Sequence, residues 1–418
     1  MDGEKVTIEK LLNNGFGLAR NKEGRVMFVP DALPGEVFLV VKTVKRKGVI
    51  WADQTERLEQ SPIREETFPC GHFPSCGGCR MLHVRSESEM DLKISFLKDV
   101  LSRIGKINDP QILPETFAMI NSRIRGKFHV GQDGTLGFKG PRAENIISIE
   151  QCSVIPEAVT AMLPQLKAFV KEVHFIGDLY FATEATGQKP VWEFRGSLPQ
   201  GLHPKKAFAQ FNYDGGFLYK DSTGRERFRK GYPMVRHQWN GLRAQLSPSS
   251  FFQSNPASWP FFLRQVKAFV EEHKLKNVWD VHAGVGFLSS GVQCRGLYCS
   301  EPDKTAFSEL KRLFGHNKRY SLHLGSAESL LGNDIFPLKK MDGAILDPPR
   351  AGLSDKLRNW LKEDGPPWLL YFSCDMASFS RDLADLNPSY QLHSPILAMN
   401  LNPGTLRLET GCVLKKMV

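Results

Sequence analysis

The residues of this chain best suited to chemistry are one cysteine, two carboxylates and a separate group of thiols. Cys374 ends the apolar run Trp368-Leu-Leu-Tyr-Phe-Ser and is followed by Asp375 and a helix-like segment from Met376 to Leu383. Such a run is expected to form a buried parallel strand, delivering its last residues to the carboxyl edge of a sheet where open α/β sheets place ligands. Asp375 would cap the next helix, whose positive end would favour a thiolate at Cys374. Asp347 ends another apolar stretch and opens Asp347-Pro-Pro-Arg350, while Glu409 lies in Thr405-Leu-Arg-Leu-Glu409-Thr near the chain end. Enzymes that methylate exocyclic amines typically place an aromatic residue after the prolines; here the follower is Arg350. A thiol near such a turn points to carbon methylation of a pyrimidine. Its C5 is a poor nucleophile until a thiolate adds at C6, after which the enolate can take a methyl group and a base such as Glu409 must remove the C5 proton.

A methyl donor needs its own cradle. Val278-Trp-Asp280-Val-His-Ala-Gly284-Val-Gly286 reads as strand, glycine turn and helix, and the next strand ends in Glu301, twenty-one residues after Asp280. Gly284 and Gly286 allow close backbone approach, Asp280 can receive an ammonium group, and Glu301 fits a ribose diol. Without the three-glycine phosphate fingerprint, the pair favours S-adenosyl-L-methionine (SAM) over a dinucleotide. The loop Ser247-Pro-Ser-Ser-Phe-Phe-Gln253-Ser-Asn255 is rich in hydrogen-bonding side chains and opens a helix over 257–273.

The thiols Cys70, Cys76 and Cys79 stand at C-x5-C-x2-C in a Gly/Pro-rich turn, and Cys152 is the nearest available fourth. Clustered thiols with no secretory leader point to a metal site rather than disulfides. Spacing alone accommodates zinc or an iron–sulfur cluster equally. His72 could compete as a ligand.

These groups must be held by more than one domain, since 418 residues exceed one ordinary core. A 41% hydrophobic and 24% charged composition is that of a globular protein. No apolar run approaches the roughly 18 residues of a membrane helix, so a cytoplasmic, non-membrane protein is expected. The net charge of +10 suggests a polyanionic partner. Between 204 and 243, nine Lys/Arg face three Asp/Glu, interleaved with Phe208, Phe211, Phe217, Tyr219 and Trp239. Either an RNA-binding surface or a sheet with aromatic inward faces would produce that pattern.

Residues 1–60 show about five short strands and no helix, as in an oligonucleotide-binding (OB-like) β-barrel, with Lys42-Thr-Val-Lys45-Arg-Lys47 as a basic rim. A helix is expected at 87–104, a basic hairpin after Arg123, a helix over 156–173, and antiparallel strands from there to 243. The fold class is therefore multidomain. It comprises a barrel at 1–60, an α+β central domain at 61–250 whose 87–104 helix packs on the catalytic domain, and a Rossmann-like α/β domain at 251–418.

Together these motifs resemble the bacterial RNA 5-methyluridine (uracil-C5) methyltransferase family along essentially the whole chain. The resemblance makes the barrel a TRAM domain and makes Cys70, Cys76, Cys79 and Cys152 ligands of a [4Fe-4S] cluster. It makes Gln253 a substrate- and SAM-side residue, and Asp280, Gly284, Gly286, Glu301 and Asp347 part of the SAM site. Cys374 becomes the nucleophile and Glu409 the base, with Asp347 beside them. Barrel plus cluster is most similar to members acting on 23S rRNA as monomers, with a tRNA or another rRNA uridine as the alternative. The departures are His282 and Ala283 in the first SAM motif, and Asn402-Pro403 and Arg407 where Phe-Pro and His are usual. If that altered motif no longer holds SAM, a non-catalytic RNA-binding protein is the other reading.

Overall fold

The structure is a computed structural model that describes residues 3–141, 145–332 and 335–417. The first sixty residues form a six-stranded sheet in the order Glu4–Thr7, Val37–Arg46, Val49–Glu59, Val26–Pro30, Phe16–Arg20, Lys10–Leu11. Alternation puts Val6, Met27, Val29, Phe38 and Val40 into a small core of their own. Lys42, Lys45 and Arg46 are exposed on the strand Val37–Arg46 rather than in the expected turn, and Lys47 is exposed in the turn that follows it. A buried pair ties this unit to the chain that follows: Arg64 Nη2 donates to Glu36 Oε2 at 2.7 Å and to the Asp31 carbonyl at 2.6 Å.

A seven-stranded sheet forms the middle of the molecule, ordered Ile146–Ser148, Leu136–Lys139, Arg125–Val130, Ile176–Ala182, Val191–Ser197, Phe217–Asp221, Glu226–Lys230. The 123–140 hairpin is present, and the 156–173 region forms the helices Glu157–Thr160 and Leu163–Glu172. The 204–243 segment departs from expectation. It begins with the helix Pro204–Ala209, and Phe217–Asp221 pairs parallel to Val191–Ser197. Phe208, Phe211, Phe217 and Tyr219 are all at most 3% exposed, packed around Phe194 and Phe169. Apolar area is worth more inside than waiting on the surface for a base, so these rings are core and not a stacking platform. Part of the outward charge is neutralised locally, by Arg229–Glu226 at 2.7 Å and Lys220–Glu193 at 3.0 Å.

The catalytic sheet has nine strands. Five run parallel in the order Tyr320–Leu324, Gly296–Glu301, Asn277–Asp280, Gly343–Leu346, Trp368–Ser373. Glu409–Lys416 then pairs antiparallel with Trp368–Ser373 and is followed outward by Ile396–Asn400. Continuous apolar strands are buried on both faces: Ala344, Leu346, Leu369 and Tyr371 enter one core, while Ile345, Leu370 and Phe372 enter the other.

Elements of the 61–250 segment pack on the C-terminal domain, the helix at 87–104 as expected and others besides. Ile112–Thr116 is the edge strand beside Ile396–Asn400, and the helix Ser86–Val100 buries Phe96 and Leu97 in the same core as Tyr371. The two-stranded unit Val235–Trp239 and Leu242–Leu246 buries Trp239 against Trp259 and Phe287. The 61–250 segment therefore enters the catalytic domain twice, because its apolar helix face and edge strand find their partners there. The helix expected after Gly286 is also absent; a short 3₁₀ turn, Leu288–Gly291, stands in its place. No helix among the described residues is long and apolar enough to cross a membrane.

Candidate active site

The parallel register ends Asn277–Asp280, Gly343–Leu346 and Trp368–Ser373 at one edge of the sheet, so Asp280, Asp347 and Cys374 share it. The antiparallel neighbour begins at that edge. Ser373 pairs with Thr410, and one step further along the register sets Cys374 beside Glu409. Thr410 Oγ1 donates to the Ser373 carbonyl at 3.2 Å and fixes that step.

Asp375 caps the helix Met376–Leu386, accepting from Ser378 N at 2.8 Å. The thiolate expected from that cap does not follow. Burial pushes the Cys374 thiol up to about 11, and the neighbouring charges of Glu409 and Asp347 add to the rise while Arg350 opposes it. Two carboxylates and lost hydration outweigh one helix end. Burial raises Glu409 to about 8, with Asp347 adding and Arg407 and Arg350 opposing. Burial alone lifts Asp347 to about 6. Both carboxylates keep one face open to the cleft, yet enough protein rings them to strip most of their hydration.

The donor side is equally built. Asp280 is fully buried, receives the Ser289 hydroxyl on Oδ2, and leaves Oδ1 buried with no partner. Burial first, then the charges of Asp347 and Glu301, hold its carboxyl up at about 7. A buried acceptor without a donor is costly, and an ammonium group would satisfy it. Glu301 accepts from Gly284 N at 2.9 Å and Asp303 N at 2.7 Å. Gly284 has φ +54° and open space where a Cβ would project, whereas a Cβ on Gly286 would meet Phe314 at 2.7 Å. One glycine thus leaves room for a ligand and the other for a helix. Burial depresses the His282 imidazole to about 4, which keeps it neutral and unsuited to proton transfer. These residues fit SAM.

Gln253 is half-buried, on a loop tied to three elements. Ile124 N donates to the Ser254 carbonyl at 3.0 Å, Trp259 Nε1 to the Gln253 carbonyl at 2.9 Å, and Asn255 Nδ2 to the carbonyls of Ala118 at 2.9 Å and Leu401 at 3.0 Å. Gln253 is thereby seated against the chain leading to Glu409.

Sequence reasoning missed the support of that chain. Glu89, on the helix Ser86–Val100, accepts from Gly404 N at 2.9 Å, from Asn400 Nδ2 at 3.0 Å and from Lys93 Nζ at 2.7 Å. Lys93 is 0% exposed. Its i,i+4 spacing to Glu89 is the local signal, and ordinary surface pairs share it. Glu89→Ala would strand a buried ammonium, and is expected to cost roughly 3–5 kcal/mol in urea unfolding. A loss within about 1 kcal/mol would mean that the pair is not buried in solution.

Cys70, Cys76, Cys79 and Cys152 line one cavity of about 60 Å³ with Phe73, Leu82, Phe138 and Ile155. Cys76 Sγ accepts from Gly78 N at 3.4 Å. Burial pushes Cys79 up to about 12, and the charges of Cys152, Cys76 and Cys70 each add to the rise. The two distant segments are therefore brought together. Among the described residues, however, no group of three or more His, Cys, Asp or Glu is arranged to hold a metal ion, so the arrangement itself supports neither zinc nor an iron–sulfur cluster. His72 Nε2 instead accepts from Glu150 N at 3.1 Å.

Residues 4–43 match the TRAM domain. A 23S rRNA (uracil(1939)-C(5))-methyltransferase of Chromohalobacter salexigens is 27% identical, over 98% of this chain and 89% of its own. A tRNA (uracil(54)-C(5))-methyltransferase of Pyrococcus furiosus is 26% identical, over 98% and 99%. Along nearly its whole length the chain is therefore similar to RNA uracil-C5 methyltransferases. Its fold is shared with the Pyrococcus abyssi tRNA (uracil-54, C5)-methyltransferase, solved in complex with S-adenosyl-L-homocysteine. That likeness has a TM-score of 0.77 at 22% identity and covers 98% of this chain and 99% of that one. Asn402 Oδ1 accepts from Arg123 Nη2 at 3.4 Å, and Arg407 is exposed beside the cleft.

Proposed function

We propose that this protein methylates C5 of a uridine in 23S rRNA, using SAM as methyl donor and Cys374 as a covalent nucleophile. The observation that carries the chemistry is the register that sets Cys374 beside Glu409, one strand from Asp347. In this reading Cys374 adds to C6 of the uracil, with Gln253 and Asp347 at the uracil edge steadying the enolate. SAM supplies an electrophilic methyl group to C5. Glu409 takes the C5 proton, and the Cys374–C6 bond breaks to release 5-methyluridine. Asp280, Gly284, Gly286 and Glu301 hold the donor. The exposed barrel rim and the outer face of the central sheet bind the RNA, and the protein works as a monomer in the cytoplasm.

Four thiols from two distant segments line one largely apolar cavity, and a [4Fe-4S] cluster takes four thiolates. Cys70, Cys76, Cys79 and Cys152 would hold it, and its contribution is to staple the two segments together.

The raised groups set a pH dependence. Glu409 is a base only when ionised, and with its carboxyl at about 8 that form grows as pH rises through 8. Release of 5-methyluridine in a single turnover is therefore expected to increase from pH 6.5 towards 9, and to continue rising more gently as the Cys374 thiol at about 11 ionises. A rate falling over that range would contradict the assignment.

The 23S target rests on the barrel-plus-thiol layout. A tRNA uridine is the second reading, favoured by the near-complete alignment with the Pyrococcus furiosus enzyme. Labelled SAM, protein and unmodified total RNA, followed by fractionation, separate the two. Label at one 23S position supports the target proposed, and label in tRNA replaces it while leaving the chemistry intact.

A further inference from the structure

Arg123 and Arg350 lie close enough to Arg407 for their charges to act on it. Arg407 follows the loop 402–405, where Arg123 reaches Asn402 at 3.4 Å, and Arg123 lines the four-thiol cavity together with Asn402, Pro403 and Thr405. Arg350 follows the Asp347 turn. Arg350 and Arg407 are exposed, and none of the three forms an ion pair with a carboxylate among the described residues. Although the longer-range charge of Glu409 opposes Arg407 and Arg350, an entering anion would relieve the mutual repulsion of the three.

Two anions could enter: an RNA phosphate or the carboxylate of the methyl donor. The donor pocket is walled by the acids Asp280 and Glu301, whereas the arginines stand on the open side with Cys374 and Glu409. A neighbouring feature favours nucleic acid. Phe251 is 67% exposed, two residues before Gln253, with the Arg125 guanidinium 5.1 Å from its ring centre. An exposed ring beside cations suits an unstacked base next to a phosphate.

We propose that Arg123, Arg350 and Arg407 form a phosphate clamp that grips the RNA backbone on either side of the uridine turned toward Cys374. The inference rests on the RNA-methylating function proposed above.

The test is the salt dependence of binding. Binding of a fluorescein-labelled oligouridylate is measured over a range of KCl concentrations, in a Cys374→Ala background that cannot turn over. Each Arg→Gln change at 123, 350 and 407 is expected to reduce the slope of log K against log [salt] by about 0.7, the value for one single-strand phosphate contact. Arg407→Lys is expected to restore it. SAM affinity, measured by calorimetry on the same proteins, is expected to stay within about twofold, since no phosphate contact is involved. Unchanged slopes in all three variants overturn the clamp while leaving the methyltransferase reading in place. Weakened SAM binding with unchanged slopes assigns the arginines to the donor carboxylate and also overturns it. No binding by the parent protein removes both proposals.

Discussion

Cys374→Ala is expected to lower methyl transfer to RNA by on the order of 10⁴-fold or more, because the uracil C5 then has no enolate from which to attack. No other thiol can substitute. Cys299 and Cys412 are buried in the two cores, and Cys294 Sγ is occupied with the Gly296 carbonyl at 3.1 Å. The loss should be confined to chemistry. A half-buried thiol exchanged for a methyl group changes stability by about 1 kcal/mol or less, and Asp280 and Glu301 still hold the donor. Single-turnover kinetics alongside SAM calorimetry check this. A variant retaining a tenth or more of the wild-type rate would show that the carbon is activated in some other way.

Glu409→Gln has a different expected signature. The amide cannot take the C5 proton, so the reaction is expected to stop after methyl transfer with Cys374 still bonded to C6. Turnover should fall by about 10²–10⁴-fold, and a protein–RNA species that survives denaturing electrophoresis should accumulate only when SAM is present. Combining the change with Cys374→Ala should abolish the band. A fast Glu409→Gln enzyme, or a slow one with no trapped species, would remove Glu409 from the role of base. The two variants divide the mechanism at one bond: the first prevents its formation and the second its breakage.

The readable parts of this site were those written in local pattern. The apolar run into Cys374 and the strand ends at Asp280 and Asp347 announced a sheet edge, because continuous burial needs no long-range information. The pairing of Glu409 with Cys374 did not follow from spacing. It depends on an antiparallel return strand whose register is set by contacts such as Thr410 to Ser373. Ile112–Thr116 escaped notice because Pro114 and Glu115 look like loop residues, and an edge strand tolerates them. The alternation of cations with Phe217 and Tyr219 was equally consistent with a stacking surface and an inward face; only packing around Phe194 and Phe208 decided it. The thiolate anticipated at Cys374 failed for a similar reason. The helix end was legible from Asp375, whereas the opposing carboxylates of Glu409 and Asp347 arrive from strands distant in sequence.

Glu89 shows how much of a site can lie outside its motifs. The carboxylate that pins Gly404, five residues before Glu409, comes from a helix more than three hundred positions earlier in the chain. Nothing in the local sequence distinguishes that Glu from a solvated one, and its role appears only once Lys93 and Asn400 close around it.

The most direct measurement is nucleoside analysis of RNA labelled by the protein with methyl-labelled SAM under anaerobic conditions, compared with the Cys374→Ala variant. The account predicts label in 5-methyluridine with the native protein and none with the variant. Label on a ring nitrogen, an exocyclic amine or a ribose oxygen, or label in 5-methyluridine that survives the loss of Cys374, would contradict it.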